Sequence, residues 1–152
     1  MSDVSNDYFR TDAGDQSPDP AFPPLFVNVS SAPLVELSPG VRARPVFGRN
    51  LLINHVYFEP NAVAPVHRHL EEQIGLVLEG EVEFELAGER RLLQPGDIYV
   101  APPYVPHGAR TYEQRCVVLD VFAPPRSGMR ELVERTLAGQ QTTTGGSAEG
   151  AE

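Results

Sequence analysis

A chain of 152 residues with 21 Asp and Glu against 12 Lys and Arg carries a formal net charge of -9, which excludes general binding to nucleic acid phosphates or anionic lipid, since both need clustered positive charge. The length suits one domain with a sizeable core, and no apolar run approaches a membrane span. The lone cysteine, Cys116, cannot form an internal disulfide, and Asp3 and Asp7 stand where a secretory signal has basic residues, so a cytoplasmic protein is expected.

Residues 1–24 are rich in Asp, Ser and Pro without apolar periodicity, which predicts a flexible arm. Phe22, Leu25, Phe26, Val27 and Val29 are more apolar, and the end of the arm is expected either to dock as an edge strand or to cross to a partner subunit. From 25 to 138 the pattern is that of one domain. Its apolar segments fall at 34–37, 43–47, 51–58, 64–69, 74–78, 81–86, 89–93, 98–101, 108–111 and 115–122, with Gly and Pro between them. Short strands with this punctuation predict an all-β sandwich or barrel of the jelly-roll type. In 81–86 the alternation is clean: Val82, Phe84 and Leu86 face the core, and Glu81, Glu83 and Glu85 face water as scaffold. Met129, Leu132, Val133 and Leu137 have helical spacing, with Ser127 as a cap and Gly139 as a stop, so a short C-terminal helix is expected and 139–152 is expected to be a disordered tail.

Chemistry concentrates in two places. If the chain up to His69 is extended, His67 and His69 share one face and Arg68 takes the other. Gln73 opens the next strand beside them. The spacing of two histidines is common by chance, but His107 follows a strand-turn-strand pattern that returns the chain to the same region. Of the neighbouring candidates, His55 reads as an ordinary strand residue satisfied by solvent or a neighbour, Asp97 as the cap of the Pro95-Gly96 turn, and Glu71 as a solvated turn charge. The second place is Asp120, Phe122 and Arg126. An ionisable group in an apolar strand is costly to bury without a partner or a solvated cavity. Two readings follow: a functional carboxylate, or an Asp120–Arg126 ion pair that closes the barrel mouth.

The run His67-x-His69-x(3)-Gln73-x(6)-Gly80, followed by Gly88, Gln94-Pro95-Gly96-Asp97, Pro102-Pro103 and His107, resembles the two motifs of the cupin family over roughly residues 40–125. The resemblance implies a cupin jelly-roll β-barrel holding one divalent transition metal, such as Zn, Ni, Fe or Mn, on His67, His69, Gln73 and His107. Where the common pattern has a glutamate this chain has Gln73, so four neutral ligands leave the ion its full charge, which favours Lewis-acid chemistry and a carboxylate-bearing substrate. Glu72 is the alternative ligand if the turn is bulged. A second departure is that Gly108-Ala109-Arg110-Thr111 follows the last histidine, without the asparagine often found there.

Together with Val118-Leu119-Asp120-x-Phe122-x-Pro124-Pro125-Arg126, the histidine run resembles the pectin-degradation cupins that linearise 4,5-unsaturated uronates. That resemblance implies that Asp120, Phe122 and Arg126 line the metal cavity. Asp120 would move a proton, Arg126 would pair with a substrate carboxylate, and Phe122 would shape the wall, yielding a linear 4-deoxy-5-keto uronate. The chain has no Trp to stack on a sugar, and Tyr57, Tyr99 and Tyr104 are the available substitutes. The competing readings are a metal-dependent cyclase, lyase or isomerase of another metabolite such as a polyketide, and a non-catalytic metabolite-binding cupin. A homodimer is expected, because an exposed sheet edge needs cover.

Overall fold

The structure, a computed structural model, describes residues 8, 9, 14 and 16–144. Among the described residues ten strands run in order: β1 (Val35–Ser38), β2 (Val41–Phe47), β3 (Leu52–Phe58), β4 (Val63–His67), β5 (Glu72–Gly80), β6 (Val82–Leu86), β7 (Glu89–Leu93), β8 (Ile98–Ala101), β9 (His107–Arg110) and β10 (Cys116–Ala123). They form a six-stranded sheet, β1-β2-β3-β10-β5-β8, and a four-stranded sheet, β4-β9-β6-β7, with every pairing antiparallel. The two sheets enclose the core of an all-β jelly roll. Each predicted apolar segment became a strand, although the one expected over 64–69 stops at His67.

The period of two decides what each strand buries. On β10, Cys116, Val118, Asp120 and Phe122 point inward, while Leu119 and Val121 lie on the outer face with Ile53 of β3 and Ile74 of β5. On β6, Val82 and Phe84 are buried, as the alternation predicts. Gly80 ends β5 with a φ of 73°, and a Cβ there would collide with the Arg115 carbonyl, so the turn into β6 depends on glycine. Cys116 is fully buried at the start of the central strand β10, and burial, with Asp120 and Glu81 adding to it, pushes its thiol up to about 12.

One row across the larger sheet fixes the interior of the site. Asn54, Asp120, Gly75 and Tyr99 are successive register partners on β3, β10, β5 and β8. The Tyr99 ring crosses over Gly75: a Cβ at that position would fall 2.5 Å from the Tyr99 hydroxyl oxygen. Gly75→Ala is therefore expected to destabilise the fold by about 1–3 kcal/mol through overpacking, seen as a fall of several degrees in Tm. An unchanged Tm would mean that the ring does not need this gap.

Helix α1 (Met129–Thr144) follows the barrel and inserts Met129, only 5% exposed, into the core. The expected stop at Gly139 is not one. Gly139 keeps helical backbone and the helix continues to Thr144, so the first six residues of the tail expected to be disordered are helical. An interior glycine costs a helix only about 1 kcal/mol, less than the packing of Leu132 and Val133 against the core can supply. Residues 145–152 of that tail, and most of 1–15, lie outside the described residues. The end of the N-terminal arm forms no edge strand. Asp19 pairs with Arg49 at 3.3 Å, and the same guanidinium lies over the Phe22 ring at 5.1 Å. Among the described residues no helix is long and apolar enough to cross a membrane.

Candidate metal centre

The two sheets bring the histidines together. His67 ends β4 and is the register partner of His107, which opens β9; their ring centroids are 4.6 Å apart. His69 lies in the bend beyond β4, and the bend still turns its ring to 5.5 Å from His67 and 4.9 Å from His107. In each ring Nδ1 donates to a backbone carbonyl: His67 to Pro65 at 2.7 Å, His69 to Glu71 at 2.9 Å, His107 to Val105 at 2.8 Å. A carbonyl only accepts, so the hydrogen sits on Nδ1 and each Nε2 keeps a lone pair.

Gln73 completes the set from the larger sheet. Its Oε1 lies 3.1 Å from His69 Nε2 and 3.0 Å from His107 Nε2, while its Nε2 donates to the Tyr99 hydroxyl at 2.7 Å. Lone pairs aimed at one another repel unless a cation lies among them. One ligand atom from each histidine falls within 4.8 Å of the other two, and the donor set of three imidazoles and an amide oxygen fits a divalent transition ion. Burial above all, helped by the positive charge of Arg126, holds the His69 and His107 imidazoles below their usual range, which keeps them neutral as ligation requires.

The second cluster borders the same cavity, about 450 Å³ in volume. Asp120 is buried and accepts a hydrogen bond from the Tyr99 hydroxyl. Desolvation raises its carboxyl to about 6, against the opposing hydrogen bonds from Tyr99 and Gln73. Beside it Asn54, 2% exposed, turns Oδ1 into the interior with no hydrogen-bond partner among the described residues. Phe122 is buried, its ring 5.8 Å from that of His69.

Arg126 follows a cis Ala123–Pro124 bond and turns to Glu71, Nη1 to Oε2 at 3.7 Å. The expected alternative of an Asp120–Arg126 ion pair is thus replaced by two separate pairings, Asp120 with Tyr99 and Arg126 with Glu71. Glu71, read from the sequence as solvated, is 3% exposed. Its carboxylate accepts from the Ser127 backbone N–H at 2.7 Å and lies 3.4 Å from His69 Nδ1. Burial alone would raise its carboxyl, but the Ser127 N–H, Arg126 and His69 together hold it below the ordinary value. Glu71 therefore ties the loop bearing His69 to the loop bearing Arg126.

Residues 54–122 match the cupin domain family. The chain is 32% identical over 97 residues to the pectin degradation protein KdgF of Dickeya dadantii (strain 3937), covering 62% of this chain and 88% of that protein. The chain belongs to the cupin family. The solved structure of KdgF from Halomonas sp. superposes with a TM-score of 0.64 at 37% identity, over 70% of this chain and 98% of that one. The polyketide cyclase RemF from Streptomyces resistomycificus has a TM-score of 0.61 over 68% of this chain and 81% of its own, but at 24% identity that likeness concerns the fold alone.

Within this cupin barrel the sequence-derived candidates sort clearly. His67, His69, Gln73, His107, Asp120, Phe122 and Arg126 surround one region. Glu72, the alternative ligand, is exposed on the opposite face of β5 from Gln73. His55 lies on the outer face of β3 beside Tyr57, ring centroids 4.9 Å apart, and its buried Nδ1 has no hydrogen-bond partner among the described residues. Asp97 caps its turn by accepting from the Gln94 N–H at 2.8 Å. Of the tyrosines expected to stand in for Trp, Tyr104 is 58% exposed and Tyr57 faces outward; only Tyr99 lines the cavity. The sequence reading does not single out Asn54, whose one available signal is an amide within an alternating apolar strand, and it takes the buried Glu71 for a solvated charge.

Proposed function

We propose that this cupin is a metal-dependent enzyme converting 4,5-unsaturated uronate monosaccharides to linear 4-deoxy-5-keto uronates. The observation that carries the reading is the juxtaposition, in one cavity, of an electroneutral ligand set, a buried carboxyl at about 6 and the Arg126 guanidinium. The likeness to the two KdgF proteins supports it. One divalent transition ion on His67, His69, Gln73 and His107 would supply Lewis-acid polarisation of substrate oxygens.

The conversion is an isomerisation. The anomeric hydroxyl loses its proton, the bond from C1 to the ring oxygen breaks to leave an aldehyde, the former ring oxygen becomes the C5 enol oxygen, and C4 gains a proton to give the 5-ketone. A single group that accepts the first proton and returns one to C4 balances the reaction, and a carboxyl near 6 suits both tasks at neutral pH. Asp120 takes that role. Arg126 receives the substrate carboxylate, Phe122 excludes water beside the ligands, and the unpaired Asn54 Oδ1 accepts from a substrate hydroxyl.

The decisive experiment is turnover of unsaturated uronate by the metal-loaded protein, followed as loss of the conjugated enol-ether absorbance. Metal-loaded protein that gives no loss over the spontaneous rate favours the second reading, a cyclase, lyase or isomerase of another metabolite such as a polyketide. The apolar wall of Val56, Phe84, Val118 and Leu132 is the feature that suits it.

We also propose a homodimer working in the cytoplasm, where a lone thiol stays reduced. Ile53, Ile74, Leu78, Ile98 and Val100 are 38–61% exposed on the outer face of the six-stranded sheet, and β8 is an open edge. Sedimentation is expected to give twice the chain mass at micromolar concentration; a monomer there would refute the pairing.

A further inference from the structure

An amide has two ends of nearly equal size, and only its oxygen can ligate a cation. For Gln73 the choice of end is made on the side away from the histidines. The Tyr99 hydroxyl has one hydrogen and donates it to Asp120 Oδ1. Its oxygen is then left to accept, and it accepts from Gln73 Nε2 at 2.7 Å. Reversing the amide would set carbonyl oxygen against a hydroxyl whose hydrogen is already committed. The reversed amide would also donate to the Nε2 lone pairs of His69 and His107, satisfying them in the way that competes with a metal.

The fold holds Tyr99 to this task through two contacts of its ring. Gly75, its register partner on β5, leaves the gap the ring crosses to reach Asp120 on β10. Phe84 stacks on the ring, centroids 3.8 Å apart. The chain also explains why position 73 is Gln and not Glu. A carboxylate there would have no hydrogen to give, and one hydroxyl cannot serve two carboxylates.

We infer that Tyr99 is a positioning residue for the metal centre, whose hydroxyl fixes the Gln73 amide with its oxygen toward His69 and His107. The inference rests on the metal-centre reading above. Its test is calorimetric titration with Zn²⁺ or Ni²⁺ of the wild type, Tyr99→Phe, Gln73→Glu and the double variant. The phenylalanine keeps the ring over Gly75 and against Phe84. With Gln73 present, loss of the hydroxyl is expected to raise Kd about 10-fold or more, the lower end of what outer partners of metal ligands contribute. In the Gln73→Glu background the same loss is expected to leave Kd within about 2-fold, because a carboxylate has two like ends and nothing to orient. Equal weakening in both backgrounds, or none with Gln73, overturns the inference.

A second measurement needs no metal. In the apo protein the Gln73 side-chain amide hydrogens are expected to show NMR contacts to the Tyr99 ring, and to lose them in Tyr99→Phe through reorientation toward the imidazoles. Amide hydrogens found against His69 and His107 in the wild type overturn the orientation. A wild type that takes up no metal but keeps the contact to Tyr99 defeats the metal-centre reading and leaves the orientation standing.

Discussion

Asp120→Asn is expected to lower kcat by about two to four orders of magnitude, the range for a positioned acid or base. Metal content should be unchanged. Asparagine fills the same volume, and its carbonyl can still accept from Tyr99, so the row across β3, β10, β5 and β8 keeps its packing. What it loses is the proton transfer. Arg126→Lys is the contrasting variant: lysine keeps the charge without the planar fork, so KM should rise while the chemical step survives. Because Asp120 starts the reaction ionised and burial raises its carboxyl to about 6, kcat/KM of the wild type is expected to fall as pH drops through that region. A bound cation favours the carboxylate, which places the midpoint at or below this value. The acid limb should vanish from the residual activity of Asp120→Asn. An Asp120→Asn enzyme with wild-type kcat would return Asp120 to a structural role as the acceptor for Tyr99.

Removal of a single imidazole should empty the centre. His107 is 2% exposed and supplies one corner of the cluster, with Gln73 Oε1 3.0 Å from its Nε2. His107→Ala, like His67→Ala, is expected to retain less than about one tenth of the wild-type metal after dialysis, since loss of a ligand is more severe than the 10- to 100-fold cost of losing an outer partner. Elemental analysis reads the result directly. His55→Ala should keep full occupancy, because that ring lies on the outer face of β3. Full metal retention in both ligand variants would refute the assignment of the centre.

The strands were legible because alternation and Gly or Pro punctuation are local signals, and the spacing of His67, His69 and His107 carried the ligand motif with them. Local signals also misled. Glu71 sits in a polar turn and reads as solvated, yet it is buried, and its partner, the Ser127 N–H, is 56 residues away and could not be paired from spacing. Gly139 resembles a helix stop, but the packing of Leu132 and Val133 overrides it. Tyr99 could not be singled out among three tyrosines, because its role depends on the register of three strands. The one trace it left was Gly75, an isolated glycine in an apolar strand, which marks a close approach by something bulky.

Cys116 gives the molecule its own unfolding reporter. Its thiol is fully buried on a strand paired with β3 on one side and β5 on the other, and its ionisation lies near 12. At pH 8 only about one such thiol in ten thousand is thiolate, the form that attacks a disulfide reagent. Chromogenic labelling of the native chain thus waits on separation of the central strands. Its rate with and without added metal measures how far occupancy of the histidine cluster slows opening of the whole barrel, with no engineered probe.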